Sequence, residues 1–232
     1  MPFVFPIHLF NPSNIQFGLQ GSTVASPQSI SGVGQVLRTD GGGYWQCSMS
    51  GIVLNTPDKL RAWRAWESHL AAGVTRVICP VADVGLGPRP LQGKKLARPS
   101  GVVTTGFDPN FPESIAFAAP YIVASIAPAP FRATQVTITV AQGSRLEGSQ
   151  VFSVNHPTKG RRMYRTSRIV SRDGQMATVV IDPPLREAIS GATAIDFDWA
   201  SFEAVAATGQ EYAPDIQYGR RAEVSIVFKE AI

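Results

Sequence analysis

Apolar and polar residues alternate with a period of two along much of this chain. Val136, Ile138 and Val140 fall on one side of an extended segment, with Thr137 and Thr139 on the other. The same spacing recurs over Val74 to Cys79, over Met176 to Ile181, and at Ala222, Val224, Ile226 and Phe228, where Glu223 and Ser225 lie opposite. That period marks a strand with one buried face. Turn clusters separate the runs: Pro12 to Asn14, Gly41-Gly42-Gly43, Gly85 to Pro90 and Asp173-Gly174 supply the special backbone angles that tight turns require. One stretch keeps helical spacing instead, with Leu60, Trp63, Trp66 or Glu67, and Leu70 on one stripe. Thr56 is its predicted N-cap, Pro57 its first residue and Asp58 a carboxylate at the positive end of the dipole. The helix is predicted to run to about Ala72, with Gly73 just past its end, and to lie on a sheet. Trp63 and Trp66 read first as core residues, with an exposed aromatic platform as the alternative.

Residues Ala133 to Ala200 hold five candidate strands, near 134–140, 149–154, 162–170, 176–181 and 193–198, punctuated by Gly143, Gly148, Gly160, Gly174 and Gly191. Short strands at that spacing predict a small OB-like barrel. After a polar break at Thr208 to Gln217, the chain returns to strand pattern for a stub too short to fold alone. The stub must therefore pair with strands from the first part of the chain. The expected fold is mainly β: a β-sandwich domain built from 1–132 plus 203–232, bearing one amphipathic helix, with the barrel at 133–202 inserted into it.

Composition narrows the class further. The 232 residues suffice for one large core or two small ones. Charged residues make up only 16%, against 44% hydrophobic, and 21 Gly and 18 Pro leave little room for long solvated helices. Such a chain is too apolar for intrinsic disorder. A net charge of +4 is weaker than the clustered basic face of a nucleic-acid binder. No apolar run approaches the ~18 residues of a membrane span, and Met1-Pro2-Phe3-Val4-Phe5-Pro6 lacks the basic start of a signal peptide. Neither membrane insertion nor export by a recognised signal is expected. Cys47 and Cys79 read as reduced core residues.

Candidate chemistry is sparse. None of the three histidines, His8, His69 and His156, has a second ligand at metal spacing. His69 reads as an edge residue of the helix. The run Asn155-His156-Pro157-Thr158-Lys159-Gly160-Arg161-Arg162 reads as an exposed basic hairpin tip, with a surface for an anionic partner as the alternative. There is no GxSxG elbow, and Gly32-Val33-Gly34 fails the dinucleotide fingerprint because residue 37 is Leu. Asp182, Asp196 and Asp198 read as outward-facing strand carboxylates, not as a glycosidase pair. No catalytic, cofactor-binding or metal-binding residue is assigned, no cofactor is expected, and the chain is read as not an enzyme.

An ordered series of short runs points further. It comprises Arg145-Leu146-Glu147-Gly148-Ser149-Gln150-Val151-Phe152, then Arg162-Met163-Tyr164-Arg165-Thr166, Asp173-Gly174, Ala177-Thr178-Val179, Pro183-Pro184-Leu185-Arg186-Glu187-Ala188 and Ala194-Ile195-Asp196-Phe197. The series resembles the distal tail proteins of long-tailed bacteriophages and of gene transfer agents, although Gly148-Ser149 stands where that family usually has Gly-Asp. The resemblance implies a structural virion protein at the tail tip, assembled in the host cytoplasm. It implies a homo-oligomeric ring, usually of six subunits, joining the tail tube protein to the baseplate hub and tail fibre proteins. DNA would pass the lumen without specific binding. A closed ring needs two different faces of one subunit to meet, and Gly85 to Gly106 and Gln20 to Gly43 are the expected contact segments. Lys94, Lys95, Arg161 and Arg162 are expected to lie off the lumen or to pair with neighbouring subunits. The alternative reading is a carbohydrate-binding β module contacting the host cell surface, with Trp45, Tyr121 or Trp199 as its aromatic platform. In the enzyme reading, Cys47, His69, His156 and Asp196 are the residues to test.

Overall fold

A computed structural model of the chain describes residues 2–21, 23–25, 36–38, 42–81, 87–88, 91–92, 95–96, 102–103, 117–118, 122–207, 212–217 and 221–232. Two β structures dominate. The first is a seven-stranded sheet in the order β1 (Phe3–Val4), β4 (Val77–Pro80), β11 (Ser201–Ala206), β13 (Arg221–Glu230), β3 (Tyr44–Leu54) and β2 (Asn14–Gln20), with β12 (Asp215–Gln217) also pairing with β13. Only β1 and β4 run parallel; every other pair is antiparallel. The second is a closed antiparallel barrel of β5 (Val123–Ile126), β6 (Gln135–Gln142), β9 (Met176–Asp182), β8 (Gly160–Asp173), β7 (Val151–His156) and β10 (Thr193–Asp196). Three two-residue or three-residue ladders, such as Thr23–Ala25 with Val36–Arg38, lie outside both.

The chain leaves the sheet after β4 and re-enters it at β11, which pairs directly with β4 so that Phe202 faces Cys79. All six barrel strands lie between those two neighbours in sequence. The five strands read from periodicity are all present, and a sixth, Val123–Ile126, precedes residue 133 and closes the barrel between β6 and β10. Closure pairs every strand on both sides and leaves the barrel no free edge.

Local chemistry accounts for the regular elements. In β13 the side chains at 222, 224, 226 and 228 are buried while Glu223 and Ser225 are exposed, as the alternation demands. Helix α1 (Pro57–Leu70) opens with Thr56 Oγ1 accepting from the Lys59 N–H at 3.3 Å. It ends two residues earlier than its apolar stripe predicts, because Ala71 turns left-handed at φ 44° and a short 3-10 turn follows to Gly73, itself at φ 93°. Trp63 is buried, with its indole N–H donated to the Tyr212 carbonyl at 2.8 Å, and Trp66 packs partly buried against Phe5. The alternation read over Val74 to Cys79 is displaced: the strand starts at Val77 and is buried at every position, while Val74 is exposed.

The hairpin of β7 and β8 joins the two cores through the same period of two. Val151 and Met163 pack into the core of the sheet, whereas Phe152, Val154 and Tyr164, the intervening residues, fill the barrel. A strand pair buried on both faces has no solvated side, so the polar residues it carries must find partners inside the protein.

Candidate functional site

The seam between sheet and barrel holds the densest polar chemistry of the described residues. Glu230 continues the buried side of β13, and its side chain is fully enclosed. Its Oε1 lies 3.3 Å from Arg162 Nη1 and its Oε2 3.5 Å from Arg186 Nη2, and Oε2 also accepts the Trp45 backbone N–H at 3.0 Å. Arg162 Nε donates to the Lys159 carbonyl at 2.7 Å, and Arg186 Nη2 donates to the Gly43 carbonyl. Two guanidinium groups of the barrel thus converge on one carboxylate of the sheet. Such a cluster ties the units in one geometry, because losing any member strands a buried charge.

His156 and Tyr164 extend the seam. The Tyr164 hydroxyl oxygen accepts from the Arg186 backbone N–H at 3.0 Å and lies 2.7 Å from His156 Nε2. Burial pushes the phenol well above its ordinary range, outweighing the bond from Arg186, so it remains a donor. Burial pushes His156 below its ordinary 6.5, and Arg162 acts in the same direction against the opposing pull of Glu187. Below about pH 6.5 the unfolded chain therefore takes up a proton that the folded chain refuses, so stability should fall as pH drops from that value towards the folded pKa. Urea unfolding at neutral and mildly acidic pH, on the native chain and on His156→Gln, measures this. The native chain should lose more stability on acidification than the variant; equal losses would remove His156 as the cause.

On the open side of the seam, Arg161 donates from Nε to Ser201 Oγ and from Nη2 to the Trp199 carbonyl, and it pairs with Asp196. A cavity of about 390 Å³ lies there, bordered by Val4, Ile78, His156, Arg161, Trp199 and Glu203.

No family model and no curated protein matches this chain.

Several sequence expectations change at this seam. The stretch from Asn155 to Arg162 is not an exposed basic tip throughout: His156 and Arg162 are buried, Arg161 is partly buried in its ion pair, and Asn155, Pro157, Thr158 and Lys159 are exposed. Arg161 and Arg162 each pair with a carboxylate of the same chain. Trp45 is no platform. It is buried in the core of the sheet with its indole N–H donated to the Met163 carbonyl at 2.7 Å. Trp199 is exposed, with its ring against His8. Tyr121, Lys94, Gly32-Val33-Gly34 and more than half of Gly85 to Gly106 and of Gln20 to Gly43 lie outside the described residues, as does the Lys95 side chain.

The remaining candidates are dispersed. Cys47 and Cys79 are free and buried in the sheet, and burial, together with the Cys79 thiol's hydrogen bond to Cys47, raises the Cys79 thiol well above its ordinary range. His69 lies in the last turn of α1, between the rings of Phe3 and Trp66. Asp182 pairs with Arg165 at 3.7 Å, and Asp198 accepts the Ile122 N–H at 3.1 Å. Of the four residues named for an enzyme reading, only His156 and Asp196 border the same cavity. Among the described residues no group of three His, Cys, Asp or Glu side chains is placed to hold a metal ion, and no helix is long and apolar enough to cross a membrane. The buried carboxylate Glu230 was missed, although its signal was present: it is the next residue on the apolar side of Ala222, Val224, Ile226 and Phe228.

Proposed function

We propose that this chain is a structural, non-enzymatic protein of a bacteriophage-type tail, forming a ring at the distal end that joins the tail tube to the baseplate hub. The observation that carries this reading is a closed barrel inserted between two neighbouring strands of a sheet whose outer strands, β1 and β2, are unlike each other and unpaired on their outer sides among the described residues. Two different edges on one subunit suit the head-to-tail contact that rotational closure requires. An edge strand left bare on a monomer is an aggregation hazard, and a neighbour that covers it removes the hazard. The β1 edge also presents Phe3 at 67% exposure and Val4 at 45%. The ordered runs from Arg145 to Phe197 support the same family, because they supply barrel strands and the loops that join them. The internal pairing of Arg161 and Arg162 suits a lumen that passes DNA without holding it.

Native mass spectrometry and negative-stain microscopy test the proposal. A closed ring, of six copies if the family rule holds, is the expected result, alone or with tube and hub proteins. A monomer that persists at micromolar concentration with both partners present would overturn it. Phe3→Asp places a charge on the β1 edge at little expense to the fold, since the side chain is mostly in water. The variant should keep the circular dichroism and melting temperature of the native chain and fail to form the ring.

A further inference from the structure

We infer that a second cavity, at the end of β8 remote from the seam, is a pocket for a glutamate side chain presented by a partner protein. It measures about 460 Å³ and lies where β6 meets the turn between β8 and β9, with Val140, Ser144, Arg145, Leu146, Arg172 and Gln175 on its border. The two arginines are the only charged residues there. Neither forms an ion pair among the described residues, whereas Arg161, Arg162, Arg165 and Arg186 of the same barrel each have a carboxylate. The charge of this cavity is therefore unbalanced and positive. Two cations brought to one cavity repel each other, and an anion placed between them turns that repulsion into attraction.

One of the arginines is already held in place. Arg172 Nη2 donates to the Leu146 carbonyl at 2.8 Å, which orients the guanidinium and leaves its other N–H groups without a partner among the described residues. Backbone bonds pin the segments around it: Val140 N–H donates to the Gln175 carbonyl at 3.0 Å, and Ser144 N–H to the Pro88 carbonyl at 2.8 Å. Gly143, at φ 144°, permits the second approach, because a Cβ there would lie 2.8 Å from the Pro88 oxygen. A site so fixed loses little freedom when it binds. Val140, Leu146 and Ala177, all buried, give the cavity an aliphatic wall. The complement is a carboxylate on a short aliphatic stem, with the stem on the wall and the two oxygens on the planar forks of the guanidinium groups. Glutamate has that shape. A bare phosphate would leave the wall uncovered, and a sugar acid would find no aromatic face, since no aromatic side chain borders the cavity. The volume accommodates a glutamate with its flanking peptide. The inference is independent of the ring.

The test uses the full chain labelled for amide NMR, titrated with Nα-acetyl-glutamate methylamide and, separately, with its uncharged isostere Nα-acetyl-glutamine methylamide. The glutamate compound should shift the amides of Ser144, Leu146, Arg172 and Gln175 with millimolar affinity, weakened by salt, and the glutamine compound should bind at least about tenfold more weakly. Arg145→Gln and Arg172→Gln should each weaken the glutamate compound by about tenfold or more. Arg168→Gln, which removes an exposed charge from the same strand but not from the cavity border, should leave it unchanged, and so separates the pocket from a general attraction of anions to a chain of net charge +4. Equal affinity for the two compounds, shifts confined to other surfaces, or an equal loss in all three variants would each overturn the inference. Inorganic phosphate or methyl glucuronide binding as tightly as the glutamate compound would also overturn it, by assigning the pocket to a free anion or to a sugar acid. The comparisons between compounds use the native chain and hold even if a variant does not fold.

Discussion

Glu230→Ala is expected to destabilise the protein by about 3–5 kcal/mol, read as a lower urea midpoint with an unchanged slope. The substitution leaves the guanidinium groups of Arg162 and Arg186 inside the protein without their carboxylate, and the Trp45 N–H without its acceptor. Arg162 has no retreat, since its side chain is only 3% exposed. A loss of this size is a large share of the ~5–15 kcal/mol that holds a typical domain together. The same argument gives the opposite sign when the whole cluster is replaced. Arg162→Met and Arg186→Met with Glu230→Met remove all three charges together with their desolvation penalty, so the triple variant should recover much of the loss. A Glu230→Ala effect below about 1 kcal/mol would mean that the cluster contributes no more than a surface ion pair. Because the carboxylate belongs to the sheet and both arginines to the barrel, amide exchange should rise first in the seam strands, Gly160–Asp173 and Arg221–Glu230.

Trp45→Ala should be comparably damaging, at about 3–5 kcal/mol. The indole is fully buried in the sheet core, near Phe17, with the Arg165 guanidinium 5.9 Å from the ring centre. Truncation opens a cavity and strips the Met163 carbonyl of its donor. Trp45→Phe separates the two effects: it keeps most of the apolar area and forfeits the hydrogen bond, so it should cost about 1–3 kcal/mol. Chemical denaturation of both variants decides the matter. An exposed ligand platform would instead tolerate either change within about 0.5 kcal/mol.

The two predictions concern residues whose roles differ in how far their sequence betrays them. The helix from Pro57, the strands around Val136–Val140 and Ala222–Phe228, and the presence of a small barrel were legible because each is specified by neighbours within a few positions: a cap three residues from its N–H, or an apolar side chain every second residue. The sixth barrel strand, Val123–Ile126, was not, since four residues carry too little alternation to separate a strand from a loop. His156 and Arg162 were read as a solvated tip because charge with a proline and a glycine a few residues apart is the ordinary mark of an exposed turn. Their burial follows from where the sheet docks, which no local pattern states.

Periodicity in this chain was therefore sufficient for element type, for two cores and for a barrel carried within a sheet. Which polar groups meet was decided only by the folded chain. Trp45 and Glu230, bonded through an N–H and a carboxylate, are 185 residues apart, and Arg186 reaches the same carboxylate from a third segment. A buried charge is stable only where donors from distant strands converge on it, and that convergence depends on pairing register and on how one sheet packs against another, quantities that short-range spacing along the chain does not contain.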